Sequence, residues 1–247
     1  GDPDLAATSQ LIVALADAGA DLIEVGIPFS DPLADGPIIQ RASGRALERG
    51  TTPAAVLEAM HRAARHTPVP LVVLSYWNPI VQYGNGRGRA TDPRPFLREA
   101  TRCGVSGLIV PDLPPEEAQG FREAADRIGI SPVLLAAPTS PPPRLRQIAR
   151  MSEGFIYYVS LTGTTGVRDR LSSDWLQGVR QLKLITTKPV CVGFGISTPA
   201  HAAAVARVAD GVIVGSALLR VMEPYLRKKT ALITRAVSFI RQFRRVV

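Results

Sequence analysis

Seven short β-rich runs, each followed by a stretch of helical periodicity, leave this chain few folds to adopt. The runs are DLIEV (21–25), LVVLSY (71–76), GLIVP (107–111), PVLLAA (132–137), FIYYVS (155–160), PVCVGFG (189–195) and GVIVG (211–215). Their near-continuous apolar character implies strands covered on both faces, hence a parallel sheet under helices. Across 247 residues the predicted architecture is α/β, one (β/α)8 barrel domain spanning 1–247. Seven strands are one short of that ring. The deficit lies at the start, where GDPDLAATSQ reads as a loop entering a helix through Leu11, Leu15 and Ala18 to Gly19, with no strand before it. A first strand upstream of this sequence is preferred to an open, doubly wound seven-stranded sheet, because closure leaves no exposed edge. The polar run NGRGRATDPRP (85–95) reads as a surface loop before a helix at Phe96.

With 46% hydrophobic residues and no apolar run near the ~20 residues of a membrane span, the chain reads as globular and not membrane-bound. Gly1 opens no secretory signal, and Cys103 and Cys191 stand alone, so a reducing cytoplasm with free thiols is the expectation. His61, His66 and His201 form no metal-ligand spacing; the first two read as a solvated pair on one helix, and no metal is expected. The net charge of +8 could suggest nucleic acid, but eight basic residues against Glu223 alone fall between 219 and 247. There Leu226, Ile233, Val237 and Ile240 recur at helical spacing. A basic amphipathic terminal helix over about 223–247 therefore accounts for the charge, without the aromatic pattern of a nucleic-acid binder.

The chemistry concentrates in DLIEVGIPFSDPLADGP (21–37), which places Glu24 on an apolar strand and Asp35 across a Gly/Pro-rich turn. Leu22, Ile23, Val25 and Ile27 surround Glu24, so its carboxylate belongs inside or at the mouth of a barrel. There, burial raises a carboxyl pKa and suits it to donate a proton near neutrality. A structural glutamate hydrogen-bonded to local backbone is the competing reading. Three glycine-bearing turns, SLTGTTG (160–166), GFGIS (193–197) and VGSAL (214–218), follow the last three strands. Barrel enzymes often hold phosphate in such loops, where glycines let backbone N–H groups approach the anion. Gly166, Gly195, Gly215 and Ser216 are the predicted phosphate residues, and a small phosphorylated molecule the predicted ligand.

With both features in place, the chain resembles the tryptophan synthase α-subunit family from Gly1 to about residue 222. EVGIPFSDPLADGPIIQ is similar to the family's main signature, and VPDLPPEE (110–117), YYVSLTGTTG (157–166), VGFGIS (192–197) and DGVIVGSA (210–217) match further blocks. The resemblance implies retro-aldol cleavage of indole-3-glycerol phosphate to indole and glyceraldehyde 3-phosphate. It implies Glu24 as the acid–base group at indole C3 and the glycerol hydroxyl, and Asp35 as the carboxylate that holds the indole N–H and stabilises charge on the ring. Tyr76, Tyr157 and Phe194 are implied to line the substrate pocket, each with a plain core role as its alternative. Thr165 falls in a loop implied to close over substrate. Asp31 and Asp112 correspond to loop and interface acids that orient or communicate. The implied partner is a β subunit carrying pyridoxal phosphate, in an α-β-β-α heterotetramer; this chain itself is expected to hold no cofactor.

The sequence also departs from the family pattern. The family's first helix and strand precede GDP, the run over 84–92 is unusual, and Leu161 and Thr164 differ from the commoner loop. Two alternatives stay open beside the α-subunit reading: a stand-alone lyase that releases free indole, and a non-catalytic phosphate-binding barrel that only activates a partner.

Overall fold

Strand parity sorts the side chains of this chain into a barrel interior and a surrounding helical shell. The computed structural model describes residues 1–84, 92–159, 174–193 and 195–247. The elements run α1 (Leu5–Asp17), β1 (Ile23–Gly26), α2 (Pro37–Glu48), α3 (Pro53–Ala64), β2 (Leu71–Leu74), α4 (Trp77–Gln82), α5 (Arg94–Arg102), β3 (Val105–Ile109), α6 (Gln119–Ile128), β4 (Ser131–Val133), β5 (Leu135–Ala136), α7 (Pro142–Met151), β6 (Ile156–Val159), α8 (Asp174–Ile185), β7 (Val190–Gly193), α9 (Pro199–Ala206), β8 (Gly211–Val212), α10 (Ser216–Met222), a 3-10 turn (Glu223–Tyr225) and α11 (Lys229–Arg244). All pairings are parallel, in the orders β1-β2-β3-β4 and β5-β6-β7-β8. Every predicted strand is present.

β4 and β5 are one strand position interrupted at Leu134, whose freed N–H donates to the buried Ser152 hydroxyl at 3.1 Å. A buried donor without that oxygen would be costly, so a side chain from the end of α7 repairs the break between the two sheets. Along the strands, alternate residues face opposite ways. Ile23, Val25, Leu71, Val73, Val105 and Leu108 pack outward under the helices. Val72, Ile109, Val133 and Tyr157 meet in the interior, with Leu22, Leu74, Leu135, Cys191 and Ile213 against them. One cluster thus draws on all seven strand positions, as a barrel requires and an open sheet does not.

Among the described residues, β1 and β8 each pair on one side only, and the eighth position of a (β/α)8 ring lies between them. Helices close the shell across that seam: α10 packs on α2 and α11, and α11 on α1. Ion pairs tie the same elements together. Arg41 and Arg45 of α2 reach Glu223 at 3.1 and 3.5 Å, and Arg45 reaches Asp2 at 2.7 Å.

The helices start where local chemistry satisfies their first N–H groups: Asp4 caps α1, and Thr52 and Thr198 cap α3 and α9 ahead of prolines. Three boundaries differ from the sequence expectation. The helix predicted from Phe96 begins at Arg94, because Pro95 suits a first turn. The helix predicted over 223–247 is instead a 3-10 turn and then α11, so Leu226 lies outside it. His66 lies beyond the end of α3, so it shares no helix with His61. Both cysteines are free thiols, and among the described residues no His/Cys/Asp/Glu group is arranged to hold a metal ion. Among the same residues, no helix is long and apolar enough to cross a membrane.

Candidate active site

Register places Glu24 inside the barrel. It sits beside Val72 in the β1–β2 ladder, and Val72 belongs to the interior cluster, while its chain neighbours Ile23 and Val25 pack outward. A carboxyl group at this position has lost most of its hydration, and burial, with a second contribution from the negative charge of Asp35, pushes its pKa from 4.5 up to about 7. Glu24 is therefore divided between acid and carboxylate at neutrality, the condition for giving a proton and taking one back.

Asp35 arrives from the loop joining β1 to α2. Burial raises its pKa too, but a hydrogen bond from the Tyr76 side chain works against the rise. Tyr76 stands just after β2, 2% exposed, with its ring centroid 5.4 Å from that of Phe29. Its phenol oxygen accepts the Ala34 N–H at 2.9 Å. Tyr157 projects inward from β6, couples to both Glu24 and Asp35, and is held far above its ordinary pKa by burial, so it remains a neutral phenol. Gly193 on β7 makes room for it, since a Cβ there would lie 2.5 Å from the Tyr157 oxygen. Four groups from β1, the β1–α2 loop, the end of β2 and β6 thus converge at the C-terminal mouth of the barrel.

The other predicted positions divide. Gly195 follows β7 with φ of +75°, in the left-handed region that favours glycine. Gly215 caps α10, and Ser216 is its first residue. Because β7 pairs with β8, these two turns rise from adjacent strands. Thr165, Gly166 and Phe194 lie outside the described residues. Asp112 follows β3 and accepts the Trp77 N–H at 2.9 Å, capping α4. Asp31 is exposed and accepts the Ser30 hydroxyl at 2.5 Å. In the tail, Arg244 pairs with Asp21 at 3.3 Å and Arg235 lies over the Tyr225 ring at 5.5 Å.

Three residues at the site carried no sequence expectation: Phe29, Gly193 and Gln40. The Gln40 side chain donates to the Asp35 carbonyl at 2.8 Å. Its place four residues after Gly36, at the start of a proline-initiated helix, was the available signal.

The family profile described as "Tryptophan synthase alpha chain" matches residues 1–247. Tryptophan synthase alpha chain from Geotalea daltonii is 47% identical over 229 residues, covering 93% of this chain and 84% of the relative. The protein of the same name from Citrifermentans bemidjiense is 49% identical over 225 residues, covering 91% and 81%. Among solved structures, the tryptophan synthase a2b2 complex of Pyrococcus furiosus contains a chain that superposes with a TM-score of 0.87 at 40% identity, covering 97% of this chain and 94% of that one.

Proposed function

The chain belongs to the tryptophan synthase alpha chain family and is a carbon–carbon lyase of L-tryptophan biosynthesis; we propose that Glu24 and Asp35 carry its reaction, the retro-aldol cleavage of indole-3-glycerol phosphate. The observation that carries this reading is the pair of carboxyl groups at the barrel mouth, in which burial brings Glu24 to about 7, while at Asp35 burial also raises the pKa and Tyr76 opposes that rise. Two carboxyl groups in contrasting environments divide acid–base work from charge stabilisation.

In the proposed sequence the neutral Glu24 protonates C3 of the indole, and the ring becomes cationic. Asp35, accepting the indole N–H, stabilises that cation where it develops. The glycerol hydroxyl next to the ring then loses its proton to the Glu24 carboxylate as the C–C bond breaks. The bonding electrons return to the ring, indole leaves with the new hydrogen at C3, and the former carbinol becomes the aldehyde of glyceraldehyde 3-phosphate. Glu24 ends protonated, as it began. Tyr157, Tyr76 and Phe194 would bound the indole pocket, and Thr165 would belong to the loop that covers it. Gly166, Gly195, Gly215 and Ser216 would hold the phosphate through backbone N–H groups and the serine hydroxyl.

The family and the a2b2 assembly of its structural relative support a β-subunit partner, and pyridoxal phosphate would sit on that subunit. A cytoplasmic location fits the free thiols. The test is indole release from indole-3-glycerol phosphate by the purified chain, with and without a tryptophan synthase β subunit. Weak release alone, strong stimulation by β and loss in Glu24→Gln is the expected pattern. No release in either condition by a folded chain would refute the lyase reading.

A further inference from the structure

We infer that Tyr76 and Gln40 are positioning residues that hold the backbone carrying Asp35 from two sides, Tyr76 at the Ala34 N–H and Gln40 at the Asp35 carbonyl. The inference rests on the lyase reading and gives Tyr76 a role beyond lining an indole pocket.

The geometry is specific to the hydroxyl. A phenol has one proton and accepts through its lone pairs. The Ala34 N–H occupies an acceptor direction at 2.9 Å and leaves the single proton to act on the neighbouring Asp35 carboxylate, against the rise that burial imposes. Burial holds Tyr76 above its ordinary pKa, so that proton stays in place across the neutral range. On the other side, the Gln40 amide donates to the Asp35 carbonyl at 2.8 Å, while the Gln40 backbone N–H closes the first turn of α2 on the Gly36 carbonyl at 3.0 Å. Pro37 at the head of α2 restricts the backbone between them. Residues 34, 35 and 36 therefore each have a backbone or side-chain group held by Tyr76 or Gln40.

The consequence is that Asp35 is oriented before substrate arrives. Besides burial, the negative charge of Asp35 raises the pKa of Glu24 from β1, of Tyr76 from the end of β2 and of Tyr157 from β6. Of these, Glu24 repels a negative charge, and Tyr76 stabilises it through a hydrogen bond. Without the Tyr76 hydroxyl, burial would act on Asp35 unopposed and the charge that stabilises the ring cation would be partly lost.

The test compares Tyr76→Phe, which keeps the ring against Phe29, and Gln40→Met, which keeps length but removes the donor, with Asp35→Asn and the double variant Tyr76→Phe/Asp35→Asn. All are assayed for indole release in the presence of saturating β subunit, and the Asp35 carboxyl is titrated by 13C NMR without substrate. Each single clamp variant is expected to lower kcat about three- to tenfold, the size of one net hydrogen bond, with KM nearly unchanged. The Tyr76→Phe effect should vanish in the Asp35→Asn background, because a residue acting through another is not additive with it. Tyr76→Phe should also move the Asp35 titration to higher pH. A raised KM with unchanged kcat, or full additivity with Asp35→Asn, would overturn the clamp. If wild type released no indole while the Asp35 titration still moved, the lyase reading would fail and the clamp would stand. Normal release with an unmoved titration would sink the clamp alone.

Discussion

Replacing Glu24 by glutamine should make the protein more stable, and only above the pH at which the unfolded chain loses its own Glu24 proton. Below pH 4.5 the carboxyl is protonated folded and unfolded, so it contributes nothing to the pH dependence. Between 4.5 and about 7 the unfolded chain has released the proton and the folded chain has kept it, so stability falls as pH rises. Above about 7 the folded protein carries a poorly hydrated charge. The interval of 4.5 to about 7 corresponds to about 3 kcal/mol at 1.36 kcal/mol per pKa unit. Glutamine has nearly the same shape and does not titrate. Urea unfolding at pH 4.5 should therefore find wild type and Glu24→Gln within a fraction of a kcal/mol, and at pH 8.5 should find the variant ahead by about 3 kcal/mol. For a chain of this size that gain corresponds to a rise in Tm of roughly 6–12 °C. The catalytic carboxyl is then a place where activity opposes stability. A gain of the same size at both pH values, or none at pH 8.5, would refute the reasoning, because the penalty would not come from a desolvated titrating group.

Asp35→Asn removes the negative neighbour that helps raise Glu24, so the alkaline limb of the pH–rate profile should move to lower pH while kcat falls by about 10²–10³, the scale of a lost transition-state contact. Gly193→Ala places a Cβ 2.5 Å from the Tyr157 oxygen and 2.8 Å from two of its ring carbons; urea unfolding should show a loss of about 1–3 kcal/mol, partly recovered in Gly193→Ala/Tyr157→Phe. Ser152→Ala strips the acceptor from the Leu134 N–H, which should cost about 1–3 kcal/mol and speed amide hydrogen exchange at Leu134.

The barrel was legible because it is written in short-range patterns. All seven apolar runs became strands, and the alternation of Ile23, Glu24 and Val25 already implied that Glu24 points opposite to its neighbours. Asp4, Thr52 and Thr198 cap their helices by an equally local rule, each side-chain oxygen accepting the N–H three residues ahead. The start of α5 at Arg94 and the division of the tail into a 3-10 turn and α11 were less legible, since helix ends depend on a few backbone hydrogen bonds that periodicity does not resolve. The interruption at Leu134 was hidden for another reason. Nothing in PVLLAA signals that one N–H will leave the ladder and pair with a serine eighteen residues away.

The sequence by itself determined which carboxyl groups are near the mouth and which strand carries Glu24, because strand parity and chain order are properties of neighbours along the backbone. Only the tertiary structure decided what those carboxyls do. The pKa of Glu24 is set by how much water β1, β2 and β6 together exclude and by the charge of Asp35 across the loop. Tyr76 became a polar anchor of the Asp35 loop rather than one more apolar wall because its hydroxyl meets the Ala34 N–H, forty-two positions away. Desolvation and Coulomb interactions act through space and sum over every element packed around a group, so their outcome exists only once the chain has folded.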